Sequence, residues 1–185
     1  MQLLDFKMKL YDDIGECLVA SYLEYIETCK SVFTNIKLHS AGRELDVLAI
    51  KDNIVYLCEV AVHINGLRYP KMGNRATIVE KFENISKFAE KEYPDKKKIY
   101  MFWSPIVKIP KNKKTKTNGV RDLEEAKKEL KKKGIDLTLV INGDFYKKID
   151  KLRDYAKKRK DEMQNPIMRF LQLETRREGN TERSL

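Results

Sequence analysis

The sequence predicts an α/β protein, and three observations carry that prediction. Apolar residues recur at helical spacing near the start of the chain. Two β-branched runs between Arg43 and His63 are separated by a turn cluster. A second helical stripe then precedes an aromatic, alternating run, so the order reads helix, three strands, helix, strand, with helices and one more strand behind.

The first helix is expected from about Leu10 to Thr28, where Ile14, Cys17, Leu18, Tyr22, Tyr25 and Ile26 form the stripe and Glu16 lies at its edge. A strand from Val32 to Leu38 follows, and Ser40, Ala41 and Gly42 turn the chain into the Arg43 run. Lys51, Asp52 and Asn53 join the two central runs as a tight antiparallel hairpin. The segment from Ile64 to Asn74, with two glycines and a proline, reads as an exposed loop. A helix from Arg75 to Glu92 buries Ile78, Phe82, Ile85 and Ala89 and carries Lys81 on the flank of that stripe. Lys98 to Trp103 is the next strand, closed by Ser104 and Pro105. A helix from Val120 to Lys133 stops at Gly134, Ile135 to Ile141 is the last strand, and a helix runs from Phe145 to about Lys160. Pro166 starts a final helix over Asn165 to Arg177 with Ile167, Phe170 and Leu171 as its stripe, before a polar tail.

Length and composition set the frame. The 185 residues suit one domain with a real core, placed at 1–160, with 161–185 as a helical extension and tail. Lys and Arg number 38 against 28 Asp and Glu, a net charge of +10, which favours a polyanionic partner. No apolar run approaches a membrane span and no positive leader precedes the first helix, so a cytoplasmic protein is expected. Cys17, Cys29 and Cys58 are scattered without C-x-x-C spacing and read as small core residues rather than as a zinc site or disulfide framework.

The chemistry is carried by two acids that interrupt apolar strands. Asp46 lies in Glu44-Leu45-Asp46-Val47-Leu48 and Glu59 in Leu57-Cys58-Glu59-Val60-Ala61, and the hairpin brings them together. Alternation puts Glu44, Asp46 and Leu48 on one face, and Glu59, Ala61 and His63 on one face of the neighbouring strand. The bland reading makes both acids edge charges facing water. Charges are seldom set inside apolar runs unless paired or bound to a cation, so a Mg²⁺-type oxygen-ligand site is the stronger reading. After it come Arg68 and Lys71, suited to phosphate contact with Tyr69 beside them, and a basic loop with Lys108, Lys111, Lys113, Lys114 and Lys116.

Element order and motif together resemble the PD-(D/E)xK, or restriction endonuclease-like, nuclease superfamily. The likeness is nearest to archaeal Holliday junction resolvases and to type IV and type II restriction enzymes, and it covers about Asp12 to Pro105. It implies an αβββαβ core with a central mixed sheet flanked by helices, and Mg²⁺-dependent hydrolysis of DNA phosphodiesters, with Mn²⁺ able to substitute. It further implies Asp46 and Glu59 as principal metal ligands, the Val60 carbonyl as a third and Glu16 as a further one. A homodimer, or a subunit of a restriction or repair nuclease, would be the working form.

One position departs from the pattern, because the lysine of the third motif is Ala61 here. Some members supply that lysine from the following helix, which makes Lys81 the candidate, although a lysine there also serves to cover a core edge. His63 is the other candidate, as proton acceptor or phosphate contact. If neither serves, the fold is catalytically silent and binds DNA or a protein partner. An RNA-processing nuclease is a weaker reading still, since aromatic single-strand signatures are lacking.

Overall fold

In the computed structural model the described residues are 14–38, 44–63, 65–69, 71–109 and 118–181, with the backbone alone described over 178–181. The Ser40 to Gly42 turn, Arg43, the expected start of the first helix at Leu10, and Lys111, Lys113, Lys114 and Lys116 lie outside these residues.

The elements are α1 (Ile14–Tyr25), β1 (Ser31–Lys37), β2 (Glu44–Lys51), β3 (Ile54–Val60), α2 (Gly73–Glu92), β4 (Lys97–Ser104), α3 (Gly119–Lys132), β5 (Leu137–Ile141), α4 (Gly143–Lys158) and α5 (Pro166–Thr181). They build an α/β structure on one five-stranded mixed sheet with spatial order β1-β2-β3-β4-β5. β1, β2 and β3 are antiparallel neighbours, whereas β3, β4 and β5 run parallel. Parallel neighbours need a crossover, and α2 and α3 provide the two crossovers.

Local chemistry sets the ends of these elements. α1 stops where Thr28 takes φ 59°, letting the Cys29 N–H donate to the Leu23 carbonyl at 2.9 Å and close a six-residue C-cap. The β2–β3 hairpin turns on Asp52 and Asn53 alone, with Asp52 at φ 51° and Lys51 still paired with Ile54. Asn118 caps α3 by accepting the Arg121 N–H, and Gly134 at φ 80° terminates it. Pro166 occupies the first position of α5 while the Asn165 side chain accepts the N–H groups of Ile167 and Met168. That helix runs four residues beyond the Arg177 end expected from its stripe.

Two cores form on the two faces of the sheet. Ile78, Phe82 and Ile85 of α2 and Leu123 and Leu130 of α3 pack on Leu48, Leu57 and Phe102. On the opposite face Tyr22 and Leu23 of α1, Leu152 of α4 and Met168 and Leu171 of α5 pack on Val47, Cys58 and Trp103. Each fully buried Leu or Phe stabilises the fold by about 1.5–3 kcal/mol, so both layers are needed. Cys29 and Cys58 are buried and Cys17 is half-buried, all three as free thiols. Among the described residues no helix is long and apolar enough to cross a membrane.

Candidate metal and phosphate site

The site begins with a defect in β2. Its ladder to β3 ends at Val47 opposite Cys58, and one further step of that register sets Asp46 against Glu59. On the other side, Thr34 pairs with Val47 and Ile36 with Leu45, but Asn35, at φ 56°, makes no pair with Asp46. The regular register of β2 is thus interrupted at Asp46. The side chain occupies the gap, and its Oδ2 accepts the Val60 N–H at 2.7 Å in place of a backbone carbonyl. The interruption also breaks the alternation expected for this strand. Leu45 and Leu48 enter the same core, whereas Val47 and Ala49 enter the other.

Glu59 is 1% exposed, beneath α2. Its carboxylate forms an ion pair with the Lys81 ammonium, which is one-third exposed. Burial, then the Asp46 charge, push the Glu59 carboxyl up to about 7, with Glu16 adding to the rise and Lys81 opposing it. For Lys81, burial disfavours the charged form, but the fields of Glu59, Tyr69 and Asp46 outweigh it and hold the ammonium above its ordinary range. Asp46, Glu59 and Lys81 line a cavity of about 420 Å³, together with Leu38, Glu44 and Ile85.

This cavity sits at the carboxyl end of β3, where strands of α/β sheets present side chains to ligands. Two carboxylates, one buried and raised by the other, suit a hard divalent cation, which would offset their repulsion with oxygen donors. Among the described residues no three His, Cys, Asp or Glu side chains come together as a ready-made ligand set.

The other expected residues fall as follows. Glu16 lies in the first turn of α1, half-buried, close enough for its charge to act on Glu59. Val60 closes β3 and gives its N–H to Asp46. Ala61 is buried, its N–H donating to the Trp103 carbonyl at 2.8 Å and its carbonyl accepting the Ser104 hydroxyl at 2.8 Å, so it contributes packing only. The strand alternation that would set His63 beside Glu59 stops short of it. β3 ends at Val60, His63 lies past it, exposed, and it does not line the carboxylate cavity.

The segment expected as an exposed loop is exposed at Asn65, Arg68 and Lys71 to Gly73 but turns inward at Gly66, Leu67 and Asn74. Gly66 and Leu67 are buried, and the Leu67 N–H donates to the Ile106 carbonyl at 3.0 Å. The Tyr69 N–H donates to Asn74 Oδ1 at 3.1 Å, and Asn74 Nδ2 reaches Asp122 at 3.4 Å. Tyr69 is half-buried, and its hydroxyl is raised by burial, with Lys81 opposing and Glu59 and Asp46 reinforcing the rise. The charges of the acids and the lysine therefore reach the phenol, an influence that sequence spacing gave no reason to expect. Arg68, Lys71 and Lys108 are exposed, and Arg68 and Lys108 line one cleft with Tyr69.

Comparison with known proteins adds little. No protein-family model matches the chain, and no curated protein matches it. A solved structure, the crystal structure of a protein of unknown function designated AF1548, aligns with a TM-score of 0.42 at 18% identity. The alignment covers 68% of this chain and 56% of that one, so this chain spans little more than half the length of the protein it matches.

Proposed function

We propose that this protein is a Mg²⁺-dependent DNA endonuclease of the PD-(D/E)xK type, acting in the cytoplasm in restriction or DNA repair. The observation that carries the reading is the meeting of Asp46, Glu59 and Lys81 in one cavity. These are two acids and a cation at the end of a parallel strand, with the lysine coming from the helix after β3 instead of from position 61.

In this reading Asp46 and Glu59 would hold the divalent cation, with the Val60 carbonyl and Glu16 as further donors. The cation supplies charge neutralisation at the phosphate and a more acidic water. Water adds across one P–O ester bond, giving a phosphomonoester and an alcohol. Lys81 would offer its ammonium to the phosphate oxygens, where negative charge builds in the transition state. Burial of Glu59 keeps bulk water from weakening these interactions. Phe170 and Leu173 on the outer face of α5, both more than 60% exposed, fit the contact of a homodimer.

Cleavage of supercoiled plasmid with Mg²⁺, with Mn²⁺ and with EDTA tests the reading. Metal-dependent nicking or linearisation that disappears in Asp46→Asn supports it; no cleavage in either metal overturns it. The second reading, a catalytically silent fold that binds DNA or serves as a partner subunit, is favoured by Ala61, which stands at the motif-lysine position and only packs. Salt-sensitive DNA binding without cleavage would select it.

A further inference from the structure

Two solvent clefts flank the start of α2, and their cations differ in what they face. In the cleft between α2 and α3, Arg75 is held by Glu125 and by Glu129, the latter at 2.8 Å, and Lys133 pairs with Glu83 and Glu129. Those charges are satisfied within the protein. The other cleft, of about 470 Å³, lies between loop 65–69, the segment after β4 and the start of α3. There Arg68 and Lys108 are exposed and pair with no group among the described residues. The one acid in the cleft, Asp122, receives the Asn74 amide at 3.4 Å.

The walls of this cleft are fixed by contacts distant in sequence. Asn142 clamps Val107 from both directions, accepting its N–H at 2.7 Å and donating to its carbonyl at 3.1 Å. Lys108 follows directly, and its stem lies along Gly66, where an added Cβ would come within 3.4 Å of the lysine Cε. Asn74 holds the Tyr69 backbone. Tyr69 lines this cleft, and Lys81, Glu59 and Asp46 of the acid cavity are near enough for their charges to act on its hydroxyl. Tyr69 therefore links the surroundings of the acid cavity to the cleft that holds Arg68 and Lys108.

The geometry points to this cleft as the binding site for a DNA phosphate that flanks the one cut at the Asp46–Glu59 cavity, held by Arg68 and Lys108. The inference rests on the endonuclease reading and gives its substrate a direction, because the strand passes over Tyr69 from one cavity to the other. Arg68 suits the phosphate as a planar fork and Lys108 as a point charge. A small phosphodiester reaches only the acid cavity, so a polynucleotide is the fitting substrate.

The test is binding of a short labelled DNA duplex by the full chain in EDTA over a series of NaCl concentrations. With Arg68→Ala and Lys108→Ala together, affinity falls on the order of tenfold or more near physiological salt, and the slope of log K against log salt flattens by about 2. Arg75→Ala, whose cation is engaged by two acids, binds like wild type. Exchanging the two cations, Arg68→Lys with Lys108→Arg, keeps most of the affinity and separates loss of charge from loss of fold. Wild-type affinity and slope in the double alanine variant overturn the inference, and so does a loss seen with RNA but not with DNA. If wild type cleaves no DNA yet the double alanine variant still loses affinity, the endonuclease reading fails and the phosphate cleft stands.

Discussion

The Lys81 ammonium of α2 closes on the buried Glu59 carboxylate of β3, across 22 residues of sequence. It is the contact through which a helix side chain reaches a strand acid that has almost no exposure of its own. Removing it leaves a buried charge without compensation. Lys81→Met is expected to destabilise the fold by about 1–3 kcal/mol above neutral pH, less than for a fully buried pair because the lysine is partly exposed. Cleavage should fall about 100-fold or more while DNA affinity stays within a few fold. Urea unfolding at pH 8 and plasmid cleavage check the two parts separately.

Asp46→Asn preserves the oxygen that accepts the Val60 N–H, so the strand break is retained and folding should be little changed. The lost charge weakens one of the two principal cation donors. Mn²⁺ affinity, read by calorimetry, should fall by about tenfold or more. Cleavage should vanish and DNA binding should hold or tighten, since an acid facing phosphate is gone.

Glu59 sets a pH dependence whose sign is unusual for a carboxylate. Its folded value is raised to about 7, so between its ordinary value and that point the folded state binds the extra proton. Stability without metal is therefore fully present below the ordinary carboxylate range and is lost as pH rises toward 7, by a few kcal/mol in order of magnitude. Thermal melts in EDTA should show this decline in wild type and a flat profile in Glu59→Gln. Added Mg²⁺ should restore wild-type stability at pH 8 and leave the variant unmoved.

Gly66 sits at φ 80°, and a Cβ there would meet the Ile106 carbonyl and side chain at 3.2 Å. Gly66→Ala should cost about 1–3 kcal/mol and lower DNA affinity through displacement of Lys108. Chemical denaturation and anisotropy titration measure both effects. A stability loss with unchanged affinity would separate Lys108 from the loop.

The fold class was legible because helical and strand periods were clean, as in Ile78, Phe82, Ile85 and Ala89 against the runs around Leu48 and Leu57. The closeness of Asp46, Glu59 and Lys81 could also be read. A charge inside an apolar strand is a local anomaly, a two-residue hairpin fixes its partner, and helical spacing fixes which lysine flanks the buried stripe. What could not be read depends on contacts without local signature. His63 was misplaced because alternation says nothing about where a strand stops. The burial of Gly66 and Leu67, the place of Tyr69 and the hold of Asn142 on Val107 join segments 35 to 48 residues apart or rest on turn geometry, and no periodicity encodes them.

Asn142 takes φ 50° at the start of α4 and leaves that helix without a side-chain cap, its amide being committed to Val107. An amide that both donates to and accepts from one residue acts as an extra rung added to the sheet past the end of β4. Lys108, the next residue, therefore starts from backbone fixed at its root and not from a tether. A cation carried there meets its partner already oriented, with little backbone ordering left to oppose binding. Selectivity in this protein would then be changed most readily by substituting Asn142 at the β5–α4 junction, far in sequence from either cavity.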